Sequence, residues 1–272
     1  MKPVSFDYFR ADSLNAALKA LSSADEDEAR VIAGGQSLMA MLNMRLVQPS
    51  LLVDISAIEQ LSVIRVDGDM LEVGANVTQA ELKSWPDLPD VAPLLAKALP
   101  NVGHFQTRNR GTVCGSVAHA DPSSELPLCL ATLGGEVTLQ SVKGTRRLSA
   151  TEFQTGMLST AKRSDEMIIA VRFPVARPGE KFAFREIARR HGDFAIVATA
   201  ARATASSFRL GVGGVAGHPT VREWNNVSDD QLDEYLNEFA WALDATDDIH
   251  ATARYRRELV RRLGRLAYEE AK

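Results

Sequence analysis

The sequence predicts an α+β protein laid out in three regions, and three observations carry that prediction. A short apolar run, Val31–Ala33, passes through Gly34-Gly35 into a helix-like run and on to a second strand at Leu51–Asp54, a small βαβ-like unit shorter than a dinucleotide-binding one. Two apolar runs flank Asp67-Gly68-Asp69, the signature of a hairpin. Near the C-terminus FAFREIARR, AIVATAARATA and FRLGVGGVAG read as antiparallel strands, with two helices after them.

Region one is residues 1–57. Leu14, Ala17, Leu18 and Leu21 fall at helical spacing and predict a helix over Ser13–Leu21; a second is predicted over Ser37–Met44, with Met39, Met41 and Met44 in the core. Region two is residues 58–178. After the hairpin, Thr78-x-x-Glu81 reads as a capping box and Leu94–Leu99 as a buried helix stopped by Pro100. A Gly-rich, polar segment follows from Asn101 to Pro127. Beyond it come an apolar run at Leu128–Leu133, strands at Glu136–Gln140 and Arg146–Ser149, a capping box at Thr151-x-x-Gln154 and an Ile/Val-rich stretch at Glu166–Phe173. Region three is residues 179–272. Its first helix is capped by Ser228-x-x-Gln231 and is acidic. The second, about His250–Ala271, is arginine-rich and sets Tyr255, Leu259, Leu263 and Leu266 on one face. The opposite charges of the pair read as two solvated faces that partly neutralise each other, or as a docking face for a partner. Trp85, Trp224 and Trp241 read as packing residues.

Composition excludes several classes. The 272 residues suit two or three packed subdomains, and a net charge of −4 offers no basic field for nucleic acid or an anionic membrane. No stretch approaches the roughly 20 apolar residues of a membrane span. The N-terminal MKPVSFDYFRADSLN has no apolar signal core, so a cytoplasmic chain is expected. Two cysteines, Cys114 and Cys129, match no zinc spacing and fall short of an iron–sulfur cluster's four thiolates, and no HExxH pattern is present; no metal site is expected. Cys114 reads as a small buried hydrophobe rather than a reactive thiol.

AGGQSL admits two readings, a tight turn and an anion cradle. Gly-Gly tolerates positive φ wherever a chain must turn. Here a strand enters, the glycines permit close approach to a ligand, and Gln36-Ser37 opens a helix whose first N–H groups favour an anion. A second segment, RNRGTVCGSVAHADPSSELP from Arg108 to Pro127, repeats that chemistry. Gly111 and Gly115 bracket a short β-like piece, and Asp121-Pro122 reads as N-cap and first residue of a helix. Two such turns, each offering unpaired N–H groups, suit the two phosphates of a dinucleotide. Neither matches G-x-G-x-x-G or G-x-x-x-x-G-K-[ST], which disfavours a Rossmann domain or phosphate loop. His119 reads as cofactor-proximal or as bonded to its own turn, and His104 and Arg108 read as loop surface.

AGGQSL followed by GTVCGSVAHADPSSELP resembles the flavin-binding medium subunit of the molybdenum hydroxylases, the family of carbon monoxide dehydrogenase and xanthine dehydrogenase. The resemblance extends over nearly the whole chain, including KPVSFDYFRADSLNAALKAL and HATARYRRELVRRL. It implies a bilobed FAD-binding domain of the vanillyl-alcohol-oxidase type followed by a small C-terminal α+β domain. It implies that Ala33, Gly34, Gly35, Gln36 and Ser37, with Leu38 beside them, hold the FAD pyrophosphate. Thr112, Gly115, Ser116 and the stretch Ala118, His119, Ala120 and Asp121 would hold the ribityl chain and flavin edge, Glu125 would contact FAD, and Phe194 in HGDFAIVA would approach the isoalloxazine. The chain departs from the family pattern at Phe194, where tyrosine is common, and at Cys114, where glycine is usual.

A flavin does the redox chemistry itself, so no catalytic triad is needed, and none is evident. The resemblance implies an electron-transfer subunit that receives electrons from a partner iron–sulfur small subunit, fed by a molybdenum-cofactor large subunit, in a heterotrimer able to dimerise, and passes them to an external acceptor. The alternatives are a stand-alone FAD oxidase or dehydrogenase acting on a small organic substrate, and a non-redox binding module for another nucleotide or anion.

Overall fold

The computed structural model describes residues 2–25 and 28–272. Residues up to 57 carry β1 (Asp7–Arg10), α1 (Leu14–Ser23), β2 (Ala29–Ile32), α2 (Leu38–Asn43) and β3 (Leu51–Asp54). The three strands form a parallel sheet in the order β1-β3-β2. The Ser13 hydroxyl caps α1 by accepting from the Ala16 N–H, and Ala17, Leu18 and Leu21 are buried, the stripe its periodicity marks. Strand β1 had no signal in the sequence. All four of its residues are exposed, so no apolar alternation betrays it; backbone pairing to β3 and a Tyr8 hydroxyl–Asp54 carboxylate hydrogen bond hold it. The expected methionine core of α2 is corrected: Leu42 is its one buried residue, Met39 and Met44 are exposed, and so short a helix turns only one side chain fully inward.

The chain then runs through β4 (Ile64–Asp67), β5 (Met70–Gly74), α3 (Gln79–Ser84), α4 (Leu88–Val91), α5 (Pro93–Ala98), α6 (Phe105–Arg108), α7 (Val113–His119), α8 (Glu125–Leu133), β6 (Glu136–Ser141), β7 (Gly144–Ser149), α9 (Ala150–Phe153), β8 (Gln154–Gly156), β9 (Ser159–Thr160) and β10 (Met167–Pro174). Five strands make an antiparallel sheet, β4-β5-β10-β6-β7. The β4–β5 hairpin turns at Gly68 with φ +63°, and the Thr78–Glu81 capping box opens α3 as expected.

Three local expectations fail here. The piece after Gly111 is helix α7, not strand: the Thr112 hydroxyl accepts from the Gly115 N–H at 2.9 Å, and a formed N-cap outweighs the β preference of Val113 and Val117. Asp121 does not cap α8. Its carboxylate accepts from the Ser123 N–H at 2.8 Å in a local turn, leaving Pro122 outside a helix whose N-cap is Ser124. The second capping box is Ser149–Glu152 rather than Thr151–Gln154, because β7 runs directly into α9.

The last region holds β11 (Lys181–Ala188), β12 (Ala195–Ala203), β13 (Ser207–Gly213), β14 (Thr220–Asn225), α10 (Asp229–Ala242) and α11 (Ala253–Ala271). Its sheet is antiparallel in chain order; the edge strand β14, a mix of charged and apolar residues, was not foreseen. Both faces of this sheet are covered. Phe182, Phe184, Ala198 and Ala200 join the core shared with α5 and α8, while Ala183, Val197, Ala201 and Leu210 pack under α10 and α11. The alanines of β12 follow from that: helices approach the strand from both sides.

On α11 the buried stripe runs through Arg256, Val260, Leu263, Ala267 and Ala271, so Tyr255 and Leu266 lie half-exposed rather than beside Leu259 and Leu263; small residues bring the helix closest along the rotated stripe. The Ser228 hydroxyl meets the Gln231 side chain instead of a backbone N–H. Arg265 pairs with Asp233 and Lys272 with Asp229, the mutual neutralisation expected of the two helices. Trp224 packs among Phe208, Tyr235 and Phe239. Trp241 is corrected: it is 62% exposed, with the Arg257 guanidinium 4.4 Å above its ring.

Candidate functional site

Strand β2 ends at Ile32 and the chain turns through Ala33, Gly34 and Gly35 before α2. Gly35 has φ +72°, a conformation that favours glycine. The carbonyls of Gly35 and Ser37 accept from the N–H groups of Met39 and Met41 at 3.0 and 3.1 Å. Among the described residues, the N–H groups of Gly35, Gln36, Ser37 and Leu38 have no acceptor in the chain, so the bend presents a row of open donors. The Gln36 amide folds back on the Gly34 carbonyl at 3.3 Å.

A Cβ placed on Gly34 would lie 1.8 Å from the Arg110 carbonyl oxygen and 3.0 Å from Gly111 Cα. The two glycine bends, far apart in sequence, are therefore in direct backbone contact. Glycine at 34 is a condition of that contact.

The second bend is anchored from behind. The Gln79 N–H donates to the Gly111 carbonyl at 2.9 Å, the Val113 N–H to the Val77 carbonyl at 3.0 Å, and Thr78 and Thr112 form an isolated antiparallel bridge. Some of its own amides are taken: Gly115 donates to the Thr112 hydroxyl and Ser116 to the Thr112 carbonyl. The cap thus narrows what this stretch can offer: among the described residues, the N–H groups of Thr112 and Cys114 are the ones at its start without an acceptor in the chain. Helix α7 ends on Ala120 at φ +54°, and the Ala120 carbonyl accepts from the Gln154 amide and the Leu158 N–H. Ala118 is exposed; His119 and Asp121 are half-buried. Burial lowers the His119 pKa, against an opposing pull from Asp121, so the imidazole is neutral near pH 7.

Glu125 opens α8 at 4% exposure, with no ion pair among the described residues. Burial pushes its carboxyl up to about 8, and the charges of Glu186 and Asp121 add to the effect. Glu186, on β11, is pushed up to about 7 by burial, and its Oε2 is buried without a hydrogen-bond partner. Cys114 is packed at 3% exposure, its thiol against the Val73 carbonyl at 3.4 Å; burial raises its pKa, as befits an inert thiol.

A third segment comes from the loop between β11 and β12. Gly192, φ +86°, packs on His104: a Cβ there would sit 2.7 Å from the ring. His104 is therefore a packing partner of this loop, which is set against the lead-in to the second bend. Arg108 braces that lead-in by donating to the Val102 and Gly103 carbonyls at 2.8 and 2.9 Å. Phe194 ends the loop 57% exposed, facing outward.

The structure thus joins residues 33–38 to 110–116 directly, continues to Glu125 along the chain, and brings the Phe194 loop to the flank. Three contributors escaped sequence reasoning. Gln79 and Arg110 act through main-chain contacts that no side-chain pattern announces. Glu186 shares a strand face with Phe182 and Phe184, and that period-two placement was the available signal.

A two-part cradle of bare backbone, followed by a sheet covered by helices on its outer face, defines a nucleotide-cofactor domain with an appended α+β domain. Comparison with known proteins makes this specific. Residues 4–176 match the family described as FAD binding domain in molybdopterin dehydrogenase, and residues 182–271 match the CO dehydrogenase flavoprotein C-terminal domain. The chain is 36% identical over 274 residues to the 6-hydroxypseudooxynicotine dehydrogenase complex subunit alpha of Paenarthrobacter nicotinovorans, covering 96% of this chain and 92% of that one. It is 35% identical over 283 residues to the nicotine 6-hydroxylase medium subunit of the same organism, covering 100% and 99%. Among solved structures, a chain of the reconstituted CO dehydrogenase from Oligotropha carboxidovorans superposes with TM-score 0.95 at 30% identity, covering 100% of this chain and 99% of that one. A chain of quinoline 2-oxidoreductase from Pseudomonas putida 86 gives 0.92 at 32%, covering 100% and 98%. This chain belongs to the FAD-binding medium subunits of the molybdenum hydroxylase-type dehydrogenases. It is an oxidoreductase subunit and its cofactor is FAD. Among the described residues, no helix is long and apolar enough to cross a membrane.

Proposed function

We propose that this chain carries electrons within a cytoplasmic multi-subunit dehydrogenase, from the iron–sulfur clusters of a small subunit, reduced at a molybdenum-cofactor large subunit, to an external acceptor. The observation that carries the reading is the contact of Gly34 with the Arg110 carbonyl, which sets a row of open N–H donors beside a capped turn. Those residues fit FAD. Ala33, Gly34, Gly35, Gln36, Ser37 and Leu38 would receive the pyrophosphate, since the donors from Gly35 to Leu38 lack partners and no side chain at 34 or 35 shields them. Thr112, Gly115, Ser116, Ala118, His119 and Asp121 would hold the ribityl chain and flavin edge. Glu125 would turn its unpaired carboxyl to the cofactor, and Phe194 would approach the ring system from the flank.

Bound FAD would supply the redox chemistry, taking up electrons singly and releasing them in pairs. The chain's part is to bind, orient and shield. In this division residues 1–57 and 58–178 are the two lobes of the cradle, and 179–272 is the domain that closes its flank. Partners are required because both cysteines are buried and neither can serve a cluster.

The test is expression with and without the neighbouring subunits, followed by flavin and metal analysis. The expected chain is yellow, releases FAD on denaturation, copurifies with iron- and molybdenum-containing partners, and is bleached by an organic substrate of the complex only in their presence. Bleaching of the isolated chain by such a substrate would establish a stand-alone dehydrogenase instead.

A further inference from the structure

Arg256 lies in the first turn of α11 at 6% exposure, an unusual place for a guanidinium. Its Nη1 donates to the carbonyls of Ile196 at 2.6 Å and Gly214 at 2.5 Å, and its Nη2 to the Asp248 carboxylate at 2.5 Å. Asp248 is held in turn by the N–H groups of His250 and Ala251, both at 2.8 Å.

The Ile196 carbonyl lies at the irregularity in the β11–β12 ladder and the Gly214 carbonyl just past the end of β13. The last paired residues of β12 and β13 on this side are Ala198 and Gly213, and beyond them Gly214 lies close to the Ala195 and Ile196 carbonyls without a ladder bond to either. Arg256 joins the Ile196 and Gly214 carbonyls through one nitrogen. Gly214, φ +80°, donates its N–H to the Pro122 carbonyl at 2.8 Å. Pro122 sits between Asp121 and Glu125, and Ile196 follows the Phe194 loop by two residues. One buried cation therefore bonds to the residue that follows the Phe194 loop and, through Gly214, reaches the turn at Pro122, beside both segments assigned above to the flavin side of the cradle.

We propose that Arg256 is a positioning residue for the cofactor site, tying the 191–195 loop and the 120–125 turn to α11 so that the C-terminal domain sets their spacing. The inference rests on the assignment of those segments to FAD. Packing alone would not need a guanidinium here, because Val260 and Leu263 already fill the helix–sheet core. A planar fork that meets two carbonyls and a carboxylate supplies fixed geometry instead.

The experiment uses the full chain, stripped of FAD and titrated with it, in wild-type, Arg256→Lys, Arg256→Gln and Val260→Ala forms; Val260 is fully buried in the same helix and bonds to neither segment. Flavin fluorescence reads affinity, and hydrogen exchange on the FAD-free chain reads local opening. Arg256→Gln is expected to weaken FAD binding about tenfold or more, the scale of losing charge-assisted bonds, and to speed exchange at residues 195–197 and 214. Arg256→Lys should fall between, and Val260→Ala should lower the melting temperature while leaving affinity unchanged. Wild-type affinity in Arg256→Gln, or in Arg256→Lys should the first not fold, overturns the inference. So does a Val260→Ala chain that loses as much affinity as the arginine variants. A wild-type chain that takes up no FAD overturns the cofactor assignment and this inference with it, whereas FAD bound equally by wild-type and Arg256→Gln overturns this inference alone.

Discussion

The two glycine bends look alike as sequence and differ as structure. The bend at residues 33–38 leaves its N–H groups open on a six-residue helix with one buried side chain. The bend at residues 111–125 turns its Gly115 and Ser116 amides onto Thr112, is pinned from behind by Gln79 and Val77, and runs into a helix buried along its whole length. The lesson is a division of labour. One bend supplies a row of four open donors and the other a wall anchored from behind, and Gly34 is where they meet.

The largest test of that comparison is Gly34→Ala. Its Cβ would overlap the Arg110 carbonyl at 1.8 Å, and backbone cannot step aside as a side chain can. We expect a loss at or above the upper end of the ~1–3 kcal/mol of ordinary overpacking, with FAD binding abolished; thermal melts and FAD titration read both.

Next in size is a pH effect confined to the second bend. Glu125 keeps its proton in the folded chain up to about pH 8, whereas an ordinary glutamate loses it near 4.5. Between those values the folded state binds more protons than the unfolded one. The contribution of Glu125 to the stability of the FAD-free chain should therefore be full below pH 4.5 and be lost as pH rises toward 8. Glu125→Gln should flatten the decline seen in denaturant melts at several pH values, leaving the smaller part that Glu186 contributes up to about pH 7. An unchanged slope would contradict a buried, unpaired Glu125.

Gly35→Val separates strain from collision. A Cβ there meets Ile32 and Met39 no closer than 3.4 Å, so the penalty is chiefly the left-handed backbone, about 1–2 kcal/mol. The protein should fold with reduced FAD affinity, and full affinity in a well-folded variant would remove the first bend from the site. Smallest is Thr112→Ala, which deletes the α7 cap: about 1 kcal/mol of stability, visible as a modest shift in melting temperature and faster exchange at Gly115.

What was legible follows a pattern. The α1 stripe, the Gly68 hairpin, the Thr78–Glu81 box and the strand Leu51–Asp54 were readable because each is decided within a few residues. Strands β1 and β14 were not, since edge strands owe their existence to a neighbour's backbone more than to their own side chains. The misplaced start of α8 and the β-like reading of Thr112–Gly115 both arose where several Ser, Thr and Asp side chains compete for the same backbone donors.

By itself the sequence determined the α+β class, the paired glycine motifs and their order, and through them the family, because turns and caps are short-range chemistry written in local residue types. Only the tertiary structure decided that Gly34 rests on Arg110, that the second bend spends its Gly115 and Ser116 amides on its own cap, and that Glu125 and Arg256 sit buried and Glu186 half-buried. Those depend on which surfaces exclude water and which carbonyls come within hydrogen-bond reach, and distance along the chain does not encode either.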